Sequence, residues 1–134
     1  MKRVTLDTNE YISALQYGGR AMRLLHMAVD GDIEIAISAP IISEVLRVLR
    51  EKFDWQPYDL NDAAQRLRKI ARLVAPTETL SVTHDEPDNR ILECAKTAGS
   101  EGIVTEDKDL LRIGAFEGIK ILNASDFLQA GRSR

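Results

Sequence analysis

Short runs of β-branched and aliphatic residues alternate along the chain with stretches whose apolar positions recur every three or four residues. This pattern predicts a strand at Arg3–Leu6, helical stretches at Glu10–Gln16 and Arg20–Val29, a strand at Ile33–Ile37 and a helix from Pro40 to about Lys52. Further on it predicts a helix over Asp62–Arg72, a short strand at Leu73–Ala75 and a helix from Asp88 to about Ala98. The chain closes with a strand at Gly102–Thr105, a short helix through Lys108–Leu111, a strand at Lys120–Leu122 and a last helix at Ser125–Gln129. Strands alternating with helices in this way give βαβ units. The expectation is therefore one α/β domain, a central parallel sheet of about five strands flanked by helices on both faces. No repeat, low-complexity tract or Ser/Gly linker interrupts residues 1–130, and residues 131–134 read as a short tail.

In open sheets of this kind, ligands bind beyond the carboxyl ends of the strands. Acidic residues at those ends are therefore informative. Asp7 directly follows the first strand, in "VTLDTNEYI", and Asp107 lies two residues beyond Thr105 at the end of "GIVT". Locally, Asp7, Thr8 and Asn9 also read as an ordinary helix cap. In "SAPIISEVLRVLRE", a turn of about 100° per residue gathers Ile41, Ile42, Val45, Leu46, Val48 and Leu49 into one apolar stripe. Arg47, Arg50 and Glu51 point away from that stripe. Glu44 falls at its border one turn into the helix, where a solvated Glu would also fit. In "DEPDNRILECAKTAG", Ile91, Cys94, Ala95 and Ala98 define the buried face. Asp88 shares it, serving either as a plain cap or as an acid directed inward. Glu93 is expected to point outward.

Four carboxylates, Asp7, Glu44, Asp88 and Asp107, are thus expected on one side of one sheet. Packed together they repel unless some take up protons or a cation joins them. Mg²⁺ or Mn²⁺ suits all-oxygen ligands and retains waters, the arrangement that serves phosphoryl chemistry. The 134 residues are 44% hydrophobic and 29% charged, a globular profile, with a net charge of −3. That acidity speaks against a general nucleic-acid coat. A nuclease is different, because it concentrates negative charge where it holds metal. No secretory h-region follows Met1, no apolar run reaches membrane-spanning length, and the single Cys94 cannot form an internal disulfide, so a cytoplasmic protein without a membrane partner is expected.

"LDTNEYISAL", "SAPIISEVLRVLRE", "DEPDNRILECA" and "GIVTEDKDLL", in this order and spacing, resemble the motifs of the PIN domain. The likeness is greatest to the bacterial PIN-family toxins of toxin–antitoxin pairs, the VapC-like ribonucleases. It spans Lys2 to about Phe127, with "ILNASDFL" similar to the family's final strand and helix. By position, the resemblance implies that Asp7, Glu44, Asp88 and Asp107 are metal-site acids, and that Asn9 and Thr105 orient those acids or the metal-bound water. It implies an Mg²⁺- or Mn²⁺-dependent endoribonuclease, an RNA substrate, a cognate antitoxin and a homodimer. The chain departs from the pattern in offering Glu106, Asp107 and Asp109 where one acid is needed, and Asp85 competes with Asp88.

The remaining conspicuous residues read as structural. His26 and His84 form no zinc-ligand spacing with each other or with Cys94, and Cys94 reads as core. Phe53, Trp55 and Tyr58 read as the buried base of a helical arm, with base stacking the alternative. Residues 43–72 hold seven basic residues against five acidic, either a solvated face or a track for RNA phosphates. A haloacid-dehalogenase-type phosphatase would want Asp-x-Asp, but the third position is Asn9. A receiver domain would place its acidic pair and a Lys at other strand ends. From another class, a catalytically silent PIN-like scaffold binding RNA or protein remains the alternative reading.

Overall fold

A computed structural model describes residues 2–132, with side chains through Ala130. In chain order the elements are β1 (Lys2–Leu6), α1 (Thr8–Tyr17), α2 (Gly19–Val29), β2 (Ile33–Ser38), α3 (Ala39–Phe53), α4 (Pro57–Ile70) and β3 (Arg72–Val74). They continue as α5 (Glu86–Ala98), β4 (Gly102–Val104), α6 (Lys108–Ile113), β5 (Ala115–Phe116), β6 (Ile119–Leu122) and α7 (Ala124–Arg132). The sheet runs in the order β3-β2-β1-β4-β6-β5. All pairings are parallel except that of β5 with β6.

The expected α/β architecture is present. One strand was not legible in the hydrophobic pattern, the two-residue β5. It joins β6 through Glu117 and Gly118, both with positive φ (49° and 83°), as the tight turns of two-residue hairpins require. Helix α4 begins at Pro57, five residues before the expected start, because Pro57 sits at the first turn where its missing N–H has no partner to lose. Helix α7 runs to Arg132, two residues into the expected tail. Residues 133–134 lie outside the described part.

Consecutive residues of β1 (Val4 to Leu6) and of β2 (Ile35 to Ser38) are buried, as in strands covered on both faces. Burying each such Ile or Leu contributes about 1.5–3 kcal/mol. Helix α5 packs on β1, β2 and β3, whereas α2 packs on β2 and meets α7. In α3 the expected stripe is buried at Ile41, Ile42, Val45, Val48 and Leu49. Trp55 is partly buried, and its Nε1 donates to Gln16 Oε1 at 2.8 Å, which ties the α3–α4 connection to α1. Tyr58 by contrast is exposed.

Helix α5 corrects one expectation. Glu93 does not point outward: it is only 7% exposed, because the segment between β3 and α5 folds back over that side of the helix. Glu93 Oε2 accepts from the Leu80 N–H (2.7 Å) and from Arg90 (2.8 Å). Asn89 Oδ1 accepts from the N–H groups of Val82 and Thr83, and its amide donates to the Thr83 carbonyl. A helical projection of α5 alone cannot show a loop that supplies donors to its far side.

The connectivity locates the site. From β1 the chain builds outward through β2 and β3, then returns to place β4 on the opposite side of β1 and continues to β6. The order therefore reverses between β1 and β4. The Cα register pairs Leu6 with Val104, so both strands end level, and the Asp7 N–H continues the ladder to the Val104 carbonyl at 2.9 Å.

Candidate active site

Asp7 and Thr105 are the first residues past the paired ends of β1 and β4. Asp7 occupies the N-cap position of α1 with extended backbone (φ −62°, ψ 150°), yet its side chain makes no capping hydrogen bond. Its Oδ2 instead accepts from the Thr105 hydroxyl at 2.6 Å. The Thr105 oxygen in turn accepts from the Asp107 N–H at 2.9 Å. One fully buried hydroxyl therefore sets both the carboxylate at the end of β1 and the turn after β4.

Asp88 arrives from α5. Its neighbour Asp85 takes the capping role, with Oδ1 accepting from the Asp88 N–H at 3.2 Å. The division of labour between these two acids is thereby resolved: Asp85 caps, and the Asp88 carboxylate turns inward. Asp107 caps α6 through the Asp109 N–H at 2.8 Å. Its carboxylate also joins those of Asp7 and Asp88, and one oxygen from each of the three lies within 4.8 Å of the others. Asp109 is engaged elsewhere, in an exposed ion pair with Arg112.

The electrostatics reflect that crowding. Burial, reinforced by Asp107, raises the pKa of Asp7 against the lowering effect of the Thr105 hydroxyl and the Thr8 and Asn9 N–H groups. Asp88, 4% exposed, is pushed up to about 8, by burial first and then by Asp107, Asp85 and Asp7. Asp88 Oδ2 is buried with no hydrogen-bond partner. A buried acceptor without a donor is costly, and the three acids supply only oxygen ligands. A hard divalent cation fits both facts. Asp7, Asp88 and Asp107 would each hold it through one carboxylate oxygen.

Glu44 lines the same cavity, of about 200 Å³, together with Asn9, Arg47, Lys52 and the three aspartates. It is not part of the three-carboxylate cluster. Arg47, one turn on, holds it with two hydrogen bonds of 2.8 and 2.9 Å, and this contact lowers its pKa. Asn9 is exposed at the cavity.

Sequence reasoning passed over Glu10. It is buried (4% exposed), and burial together with the neighbouring Glu106 pushes its pKa up to about 8. Glu106 Oε2 also accepts from the Ala124 N–H at 3.0 Å, at the start of α7. The signal for Glu10 was its spacing of three from Asp7, which puts both on one helix face. Arg47 was likewise placed off the apolar stripe without its reach into the cavity being visible.

The PIN domain family matches residues 3–109, and the chain belongs to that family. The fold is similar to that of VapBC2 from Rickettsia felis, a crystal structure bound to a DNA fragment from their promoter, with 14% identity, TM-score 0.65, and 90% of this chain and 98% of that chain covered. It is also similar to VapBC-1 from nontypeable Haemophilus influenzae, a 2.2 Å resolution structure, with 15% identity, TM-score 0.62, and 92% and 98% covered. At these identities the likeness concerns the fold. No curated protein matches the chain in sequence.

Proposed function

We propose that this PIN domain is a metal-dependent endoribonuclease, the toxin of a toxin–antitoxin pair. The observation that carries the reading is the convergence of Asp7, Asp88 and Asp107, with an unpartnered buried oxygen on Asp88, at the point where the strand order reverses. In this reading the three aspartates hold Mg²⁺ or Mn²⁺, and Glu44 completes the acidic set from α3. When bound, such a cation stabilises charge on the phosphodiester oxygens and makes a water nucleophilic near neutral pH. The products are a phosphate monoester end and a hydroxyl end, since water adds to phosphorus as the ester P–O bond breaks.

The chain's own groups have separate tasks. Thr105 fixes the Asp7 carboxylate, Asp88 would hold the cation through its ionised carboxylate, and Asn9 at the cavity rim orients the attacking water. Arg47 and Lys52 line the same cavity and supply positive charge for the RNA phosphates. Arg66, Arg68 and Lys69 are exposed on α4 and offer further positive charge to RNA.

The resemblance to the two VapBC structures supports a cognate antitoxin as partner. A homodimer is the assembly that the resemblance to PIN-family toxins implies. Light scattering at micromolar concentration is expected to give about twice the 15.0 kDa chain mass; a 15.0 kDa particle would remove the dimer. Among the described residues no helix is long and apolar enough to cross a membrane.

The test is cleavage of RNA by the purified chain in Mg²⁺ or Mn²⁺, its loss in EDTA, and its loss in Asp7→Asn. Asp7→Asn is expected to reduce the rate by orders of magnitude while the fold is kept. RNA that is bound but left intact in both metals would instead identify a silent scaffold.

A further inference from the structure

We propose that Glu10 and Glu106 form a second divalent-cation site, separate from the three-aspartate cluster. Glu10 lies one helical turn after Asp7, and Glu106 immediately precedes Asp107. Neither belongs to the aspartate cluster. The two glutamate carboxyl groups meet at a cavity of about 270 Å³, lined also by Ser13, Tyr17, Arg20 and Ala124.

The observation that distinguishes this pair from ordinary surface acids is Glu10 Oε1. That atom is buried, on a side chain 4% exposed, and no hydrogen-bond donor among the described residues reaches it. Two facing carboxylates with a bare oxygen need a proton or a cation between them. The chain's own candidate is Arg20, whose charge is felt by Glu10. Arg20 is nonetheless exposed and makes no ion pair within 4.0 Å among the described residues. A proton satisfies the pair when the cavity holds only water. A small hard cation satisfies it better, because Glu10, Glu106 and the Ser13 hydroxyl are all oxygen donors and such ions keep several waters. Glu106 is itself exposed and opens the site to solvent.

The consequence is structural coupling. Glu106 already receives the Ala124 N–H at the start of α7, while Glu10 belongs to α1. A cation shared by the two glutamates therefore ties α1, the turn after β4 and the start of α7 together. It also adds positive charge beside Asp7, which Glu10 senses electrostatically.

The inference rests on the proposed function only in taking the aspartate cluster as the first cation site. It is tested by counting Mn²⁺ bound to the full chain, from the electron paramagnetic resonance signal of free Mn²⁺, with thermal melting in parallel. Wild type is expected to bind one more Mn²⁺ than either Glu10→Gln or Glu106→Gln. Asp88→Asn should keep the glutamate site, and Asp88→Asn combined with Glu10→Gln should bind none. Glu106→Gln retains an acceptor for the Ala124 N–H, so a folded variant that has lost one ion reports the site and not the fold. An Mn²⁺ count and a metal-induced melting shift that both glutamine variants leave unchanged would overturn the glutamate site while leaving the aspartate cluster standing. A wild-type chain that binds no Mn²⁺ overturns both; an Asp88→Asn variant that binds none overturns the glutamate site alone.

Discussion

The Thr105 hydroxyl donates to Asp7 Oδ2 at 2.6 Å across 98 residues of sequence, and receives the Asp107 N–H at 2.9 Å. A single oxygen thus sets two of the three acids of the cluster. Thr105→Val is expected to weaken Mn²⁺ binding about 10- to 100-fold, the usual effect of losing a group that orients a ligand. Thr105→Ser should restore most of it. Calorimetric titration decides, and equal affinities for wild type and Thr105→Val would remove the orienting role.

The raised acids predict a pH dependence of the metal-free protein. Asp88 and Glu10 hold protons up to about 8 in the folded chain, whereas unfolded carboxyl groups release theirs near 4. Between these limits the folded state binds more protons, so stability falls as pH rises. Melting temperature in EDTA should therefore drop from pH 5 to pH 8.5. Asp88→Asn should flatten the slope, and Asp88→Asn with Glu10→Gln should flatten it further. Cations compete with these protons, so the melting shift produced by Mg²⁺ should be larger at pH 8.5 than at pH 6. A metal-free chain that is equally stable at pH 5 and pH 8.5 would contradict the raised values.

Glu93→Gln is expected to be harmful, contrary to what an outward-facing Glu would suggest. Its carboxylate holds the Leu80 N–H and Arg90 together, and hydrogen bonds to a charged group contribute about 1.5–3 kcal/mol each. Chemical denaturation should show a loss of that order for Glu93→Ala and a smaller one for Glu93→Gln, which keeps an acceptor. Unchanged denaturation midpoints would mean that Asn89, Arg90 and Lys96 hold the segment before α5 without Glu93.

Arg47 engages the Glu44 carboxylate with two bonds and so competes with a cation for it. Arg47→Ala should strengthen Mn²⁺ binding severalfold and weaken RNA binding. The ion pair is half exposed, with Arg47 at 47%, so its own contribution to stability is small. Weaker Mn²⁺ binding in this variant would show that Arg47 positions Glu44 for the metal instead of withholding it.

How much of this was legible before folding differs from element to element. The buried stripe of α3, the buried face of α5 at Ile91, Cys94, Ala95 and Ala98, and strands ending at Leu6 and within a residue of Val104 follow from periodicity, because side chains on one helix or strand have a direction set by local geometry. Asp7 and Asp107 were placed at strand ends for the same reason. The hairpin turn at Glu117–Gly118 was missed because a two-residue strand carries no periodic signal.

What tertiary structure alone decided is which groups meet. Asp7 joins Asp88 and Asp107 because β4 lies beside β1 in a register that delivers Thr105 to its carboxylate. Asp88 is freed because Asp85 takes over the capping bond, and Glu93 is buried because a non-periodic segment folds over α5. Glu10 and Glu106 become partners only once the turn after β4 reaches α1. The sequence by itself determined the elements and the acids available to them, since those depend on neighbours a few residues apart. Their pairing required the sheet order, since burial and like-charge crowding arise between residues distant along the chain.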